Sequence, residues 1–292
     1  MARSTQKERL ARQALLKALQ VRKKANIEFW WPLSIFDVVE SAGIEVWFLE
    51  ASSLEGMYSE SPRVICIGSE RPPGRQAFTC AHEYGHHLFG HGTRVDELGD
   101  HNAKGAKFKP EEYLADAFAG FFLMPKVAVE HTFRNRGWSL CQPSPTEVYT
   151  VAGYLGVGYS SLIQHMSSAL DLMPRNVASE LFKFQPKRIR ASLLGRPVES
   201  NIIIVDEHWQ HRPIDIAVGD FILAKSQPMA DGECIRRVGQ TFEGWLFQGV
   251  CTGGGFMEDL GWSSQVRVSR RLFAGWNRYR FQEKGTDDDY AD

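Results

Sequence analysis

The segment AFTCAHEYGHHLF, residues 77–89, sets His82 and His86 four residues apart, with Glu83 beside the first of them. The turn-forming run RPPGRQ precedes the segment and Gly90 follows it, which predicts a helix that stops at that glycine. Residues four apart share one face of a helix, so both imidazoles can offer a ring nitrogen to the same ion. Glu83 is displaced around the helix, within reach of a water on that ion without being a ligand itself. The pattern H-E-x-x-H therefore describes hydrolysis: a cation acidifies water, and the glutamate takes the proton and later passes it to a leaving amine. Two imidazoles do not complete such a site, so the fold must bring a third ligand to this helix from elsewhere.

Three sources are available. Metzincin sequences continue the motif with a glycine and a third histidine, but Gly90 and His91 are each displaced by one position, and that slip rotates His91 off the required direction, which leaves it, like His87, a less favoured ligand. His87 lies about 100° around the helix from His86 and reads as a surface or outer-sphere residue. The third source is EEYLADAFAG, residues 111–120, where Glu112 and Asp116 are four apart and Ala115 and Ala119 permit close approach of another helix. Phe118, Phe121 and Phe122 would face the core. An E-x-x-x-D pair on a second helix serves gluzincin-type peptidases as zinc ligand and as the carboxylate that orients a ligand histidine. Glu112 is accordingly assigned as third ligand and Asp116 as its outer partner, with Glu111 the rival for the ligand role.

The neighbouring segments supply a setting. PLSIFDVVESAG reads as a helix closed by Gly43, IEVWFLE and RVICIGS as strands, and KPEEYLADAFAGFFLMP as a helix entered at Pro110 and ended by Pro125. The polar stretch from Gly92 to Lys109 reads as a loop. Residues 5–24 alternate Leu and Ala with charges at helical spacing and predict a cationic surface helix. Residues 1–24 hold eight Lys/Arg against Glu8 alone, a pattern that suits a solvated face as well as a nucleic-acid contact. The whole chain, at net charge −1, gives no general reason to bind polyanions. No run of about 18 apolar residues and no signal-peptide core occurs, so no membrane role is expected. The five cysteines are scattered without a C-x-x-C pair, which argues against a disulfide framework or a cysteine zinc site and for a reduced, cytoplasmic protein.

QPSP at 142–145 marks a first boundary. Beyond it, TEVYTVAGYLGVGYSSLIQHMSSAL has Ala152, Gly156 and Leu162 where a helix-turn-helix needs a small residue, a turn glycine and a core aliphatic. From Gly137 to Pro174 there is no Lys or Arg, whereas phosphate contacts dominate DNA affinity. The module is therefore expected to pack on the catalytic part or to dock a protein substrate rather than to read DNA. NIIIVDEH, GDFILAK, GWLFQGV and SQVRVS follow as strand-like runs among glycines, and the chain ends on the acidic TDDDYAD.

The runs R-x-A-F-T-C-A-H-E-Y-G-H and E-Y-L-A-D-A-F-A-G-F-F-L-M-P resemble the paired motifs of the ImmA/IrrE metallopeptidases, and the preceding PLSIFDVVESAGIEV, GMY and RVICIGS resemble that family's layout. The resemblance spans residues 30–175. By position, His82, His86 and Glu112 match the family's metal ligands and Glu83 its general base; Tyr84 and the pair Gln76 and Ala77 depart from it. The implied fold class is α+β multidomain. It comprises a zincin-like metallopeptidase domain (1–140), a helix-turn-helix bundle (141–178), a C-terminal GAF-like α/β domain (179–285) and an acidic tail (286–292). The three-part plan resembles that of family members acting in radiation and desiccation response. It implies a zinc-dependent, site-specific endopeptidase that cleaves a helix-turn-helix repressor and releases damage-response genes. Manganese or iron could stand in for zinc. It further implies a small-molecule signal for the C-terminal domain, although Cys234, Cys251 and the glycines at 253–255 reveal no ligand and a pure scaffold stands beside that reading. His101 and Tyr113 are candidate oxyanion donors. The rival from another class is a non-catalytic DNA-binding regulator with a structural metal site, for which Glu83 would have no use.

Overall fold

The computed structural model describes residues 5–97 and 108–282. They divide into two compact units, 1–186 and 187–292. The combination of helices and sheets is α+β.

The first unit opens on α1 (Gln6–Lys24), whose N-terminus is closed by a capping box: the Glu8 N–H donates to Thr5 Oγ1 (3.2 Å) and the Thr5 N–H to Glu8 Oε2 (2.8 Å). This helix is more than a solvated cationic surface. Ala14, Ala18 and Arg22 form a buried stripe against α4 (Pro110–Leu123), because two alanines let the backbones come close. The Arg22 guanidinium is fully buried and donates to the carbonyls of Phe122 (2.9 Å), Glu28 (2.9 Å) and Trp31 (3.0 Å). Burial lowers its pKa to about 10.

Next come α2 (Ile35–Ser41), β1 (Glu45–Leu49), β2 (Leu54–Glu60), β3 (Arg63–Gly68), α3 (Pro73–Phe89) and β4 (Arg94–Glu97). Within this unit the strands lie in the order β1-β3-β2-β4. The β1–β3 pair is parallel, with Glu45 opposite Val64, while β2 runs antiparallel to both β3 and β4. β3 sits centrally, and its VICIG run is buried throughout, as a strand covered on both faces requires. Both β2 and β4 fall in stretches of polar and glycine-containing sequence, and β4 lies inside the segment expected to be a loop.

After α4 come α5 (Lys126–Asn135), α6 (Pro145–Leu155), α7 (Tyr159–Ser168) and α8 (Arg175–Leu181). The QPSP run supplies the start of α6, where Ser144 and Glu147 form a second capping box. Gly156, at φ +71°, ends α6 in a left-handed conformation and opens the turn into α7. That pair is packed onto the rest of the unit. A Cβ on Gly74 in α3 would meet Gly158 N and Val157 C at 2.5 Å, and His165 of α7 lies against Gly120 of α4. His165 is buried, its Nε2 bonds the Met124 carbonyl at 3.1 Å, and burial pushes its pKa down to about 4.

α9 (Pro186–Leu194) starts at the boundary, and the second unit then builds two four-stranded sheets. The first has the order β5-β7-β10-β9, from β5 (Ile202–Val205), β7 (Phe221–Ala224), β9 (Ile235–Thr241) and β10 (Gly244–Gly249). The second has the order β6-β12-β11-β8, from β6 (Ile214–Ala217), β8 (Met229–Asp231), β11 (Gly253–Asp259) and β12 (Trp262–Ser269). Ile222, Leu223, Phe247, Met257, Val266 and Val268 are buried core residues. The sequence expectation was an α/β layout, whereas from residue 202 onward the described residues alternate strand with short turn and carry no α-helix. Two of the connections are tight antiparallel hairpins, β9–β10 and β11–β12, while β5 pairs with β7 and β6 with β12 in parallel without an intervening helix. No helix among the described residues is long and apolar enough to cross a membrane.

Candidate metal centre

The site forms where α3 crosses α4. A helix carrying glycine or alanine at its contact point can approach a neighbour more closely than one with larger side chains. Here Gly85 on α3 faces Ala115 on α4, and Gly56 on β2 faces α3 from the other side. A Cβ at Gly56 would fall 2.5 Å from both Glu83 Oε1 and Thr79 Cγ2. The Glu83 carboxylate is thereby set against the β2 backbone, fully buried.

His82 and His86 are buried, and their Nε2 atoms are 2.9 Å apart. Glu112 Oε2 lies 3.5 Å from each of them. One ligand atom from each of His82, His86 and Glu112 thus falls within 4.8 Å of the others. Donors about 2.1 Å from a tetrahedral cation stand roughly 3.4 Å apart, so these spacings suit a first-row divalent ion. Two Nε2 atoms facing each other so closely are best accommodated as lone pairs converging on a shared cation. The donor set of two imidazoles and one carboxylate fits zinc and leaves a coordination position for water or substrate.

Outer contacts orient each donor. His82 Nδ1 is 2.8 Å from Asp116 Oδ1, so an Nδ1–H donated to that carboxylate leaves Nε2 as the lone-pair nitrogen. Arg94 on β4 has its Nη1 3.9 Å from Glu112 Oε1 and pairs through Nη2 with Glu111. Glu111 is thereby drawn to the guanidinium, and its half-exposed carboxylate stands outside the three-donor group. His87 is also engaged elsewhere: its Nδ1 meets the Tyr58 hydroxyl at 2.6 Å and its ring stacks on Tyr84. Burial, followed by the nearby Arg63, lowers the His87 pKa. Tyr113 is turned to Phe108, with ring centroids 5.7 Å apart, and His101 lies outside the described residues.

Sequence reasoning missed two neighbours. His91 is not one of the three converging donors, yet its Nδ1 lies 2.8 Å from His86 Nδ1. Burial, then the adjoining His86 and Arg94, push its imidazole down to about 4. The helix ends at Gly90 in a left-handed conformation, and His91 meets His86 there although the slip of one position sets it aside. Arg94 lay in the presumed loop, where no periodicity marks a functional residue. Two buried thiols also approach Glu83. Burial first and its negative charge second raise Cys66 to about 11 and Cys80 well above the ordinary range, so both stay protonated and are poor cation ligands.

Residues 39–167 match the family model described as the IrrE N-terminal-like domain, a peptidase family. No curated protein matches the chain. Among solved structures, a Mycobacterium tuberculosis transcriptional regulator is similar at 14% identity and a TM-score of 0.37, over 56% of this chain and 52% of that one. The match spans about half of that regulator's length. All three converging donors lie within residues 39–167, the stretch that is similar to the IrrE N-terminal-like peptidase domain.

Proposed function

We propose that this chain is a metal-dependent endopeptidase in which His82, His86 and Glu112 hold a divalent cation, zinc by preference, and Glu83 is the general base. The observation that carries the reading is the convergence of His82 Nε2, His86 Nε2 and Glu112 Oε2 beside a helix position occupied by a buried glutamate. A bound divalent cation would supply Lewis acidity toward water and a peptide carbonyl. Glu83 takes a proton from the attacking water as the new carbon–oxygen bond forms. It returns that proton to the amine nitrogen as the carbon–nitrogen bond breaks. Asp116 holds the His82 ring in one tautomer, and Arg94 restrains Glu112 through the oxygen that does not face the imidazoles.

The substrate reading rests on the resemblance of the paired motifs and is supported by the appended modules. We infer a helix-turn-helix transcriptional repressor, cut at one site inside the cell, so that damage-response genes are released. The α6–α7 pair, lacking Lys and Arg, suits docking a protein better than a polyanion. The C-terminal unit would serve as sensor or scaffold. The test is co-incubation of the full chain with candidate repressors, with and without a chelator, followed by mass analysis of fragments. One defined, chelator-sensitive cut supports the proposal. Intact repressors throughout, with zinc bound, would refute the substrate assignment.

A further inference from the structure

The end of α3 folds back on the site it carries. Gly90 adopts φ +70°, and the next N–H, that of His91, returns to the His86 carbonyl at 3.0 Å. This is a left-handed glycine cap in which the residue after the glycine reaches back to the last turn. The backbone of His91 thus grips His86, and its side chain completes the grip: the two Nδ1 atoms are 2.8 Å apart, with rings edge-on at 5.0 Å between centroids. Unlike the Nε2 pair, to which Glu112 brings a third donor, these two nitrogens are read as sharing one proton. If His86 turns an Nε2 lone pair toward His82 and Glu112, its proton is on Nδ1. His91 Nδ1 must then accept, and the proton of His91 is on its own Nε2.

We propose that His91 is a positioning residue for the metal centre. Its neutral imidazole accepts the His86 Nδ1–H and fixes the ring and tautomer that aim Nε2 at the cation, as Asp116 does for His82. The inference rests on the reading of His82, His86 and Glu112 as cation ligands. The geometry separates this role from that of a fourth ligand, because a partner held at Nδ1 lies on the side of the His86 ring away from Nε2. It also makes the two ligand histidines chemically unlike. His82 leans on a carboxylate and acquires more imidazolate character, whereas His86 leans on a neutral ring and remains the weaker donor.

The test uses the full-length chain and zinc alone, with affinity measured by competition against a chromogenic chelator. Cobalt(II) substitution reports the ligand field by visible absorption. His91→Leu removes the acceptor at similar size and is expected to weaken zinc by about 10–100-fold and shift the cobalt bands. His91→Asn places a carbonyl oxygen near the lost Nδ1 and should recover most of the affinity and the wild-type spectrum. Should His91→Leu fail to fold, nitrogen NMR of the wild-type rings decides: protons on His86 Nδ1 and His91 Nε2 support the role, and the opposite His91 tautomer overturns it. Wild-type affinity and spectrum in His91→Leu would overturn the inference while leaving the three-ligand site standing. Loss of zinc in both variants as complete as in His82→Ala would make His91 a ligand and overturn it as well. If wild type binds no zinc, or His82→Ala binds it undiminished, the underlying site reading fails, and the inference with it.

Discussion

A Cβ on Gly85 would stand 3.2 Å from the Cα of Ala115, so α3 and α4 cross there with nothing between their backbones. The crossing sets the reach of every donor. His86 is the next residue after Gly85, and Glu112 and Asp116 lie on either side of Ala115 along α4. Moving the helices apart by a methyl or two would lengthen the 3.5 Å separations between Glu112 and the two imidazoles.

Gly85→Leu is accordingly expected to destabilise the protein by about 1–3 kcal/mol through overpacking. It should also abolish the zinc-dependent rise in Tm. In wild type, zinc at 100 times its Kd should add about 2.7 kcal/mol, and a chelator should remove it. Thermal melts with zinc and with chelator check both effects. A variant that keeps the full zinc shift would show that the crossing does not govern ligand spacing.

Glu83→Gln preserves shape and removes the base. Metal content should be unchanged, while kcat for repressor cleavage drops by about 10²–10⁴. Elemental analysis alongside a cleavage assay separates the two. A Glu83→Gln protein that still supports its cellular role would favour a non-catalytic regulator instead.

Asp116 meets the proposed cation site through His82, at 2.8 Å. Asp116→Ala should therefore weaken zinc by about 10–100-fold without eliminating it. Chelator competition measures the change, and an unaltered affinity would remove Asp116 from the orienting role.

His165 ties α7 to α4 in a titratable manner. Above about pH 6.5 the imidazole is neutral in both folded and unfolded chains, so it costs nothing. Between pH 6.5 and about 4 only the unfolded chain takes up the proton, and stability falls as pH falls through that window. The full loss is on the order of 3 kcal/mol, reached below the folded value. His165→Gln can still donate to the Met124 carbonyl but does not titrate, so its urea-unfolding free energy should decline less from pH 7 to 4. Equal declines in the two proteins would assign the acid sensitivity to other groups.

Much of the centre could be read in one dimension because helical spacing is local. Four-residue intervals bring His82 to His86 and Glu112 to Asp116, and the capping boxes at Thr5 and Ser144 rest on three-residue intervals. The strands β1 and β3 were legible from β-branched and aromatic runs. β2 and β4 were not, since an edge or glycine-bearing strand owes its existence to the neighbour it pairs with. The basic α1 read as a cationic surface helix because no rule of spacing reveals that a guanidinium will be buried against three carbonyl oxygens.

Chemical identity and repeat length thus settle which side chains can act, since they depend on bonds along the chain and the pitch of a helix. Which carboxylate meets the imidazoles is a matter of approach in space. Glu112 rather than Glu111 does so because Arg94, from a strand hydrogen-bonded to β2, draws its neighbour aside. The same holds for His91, displaced by one position from the expected pattern, which reaches His86 because the chain reverses at a left-handed glycine. Pairing, crossing and reversal depend on contacts between distant residues, and those exist only once the chain has folded.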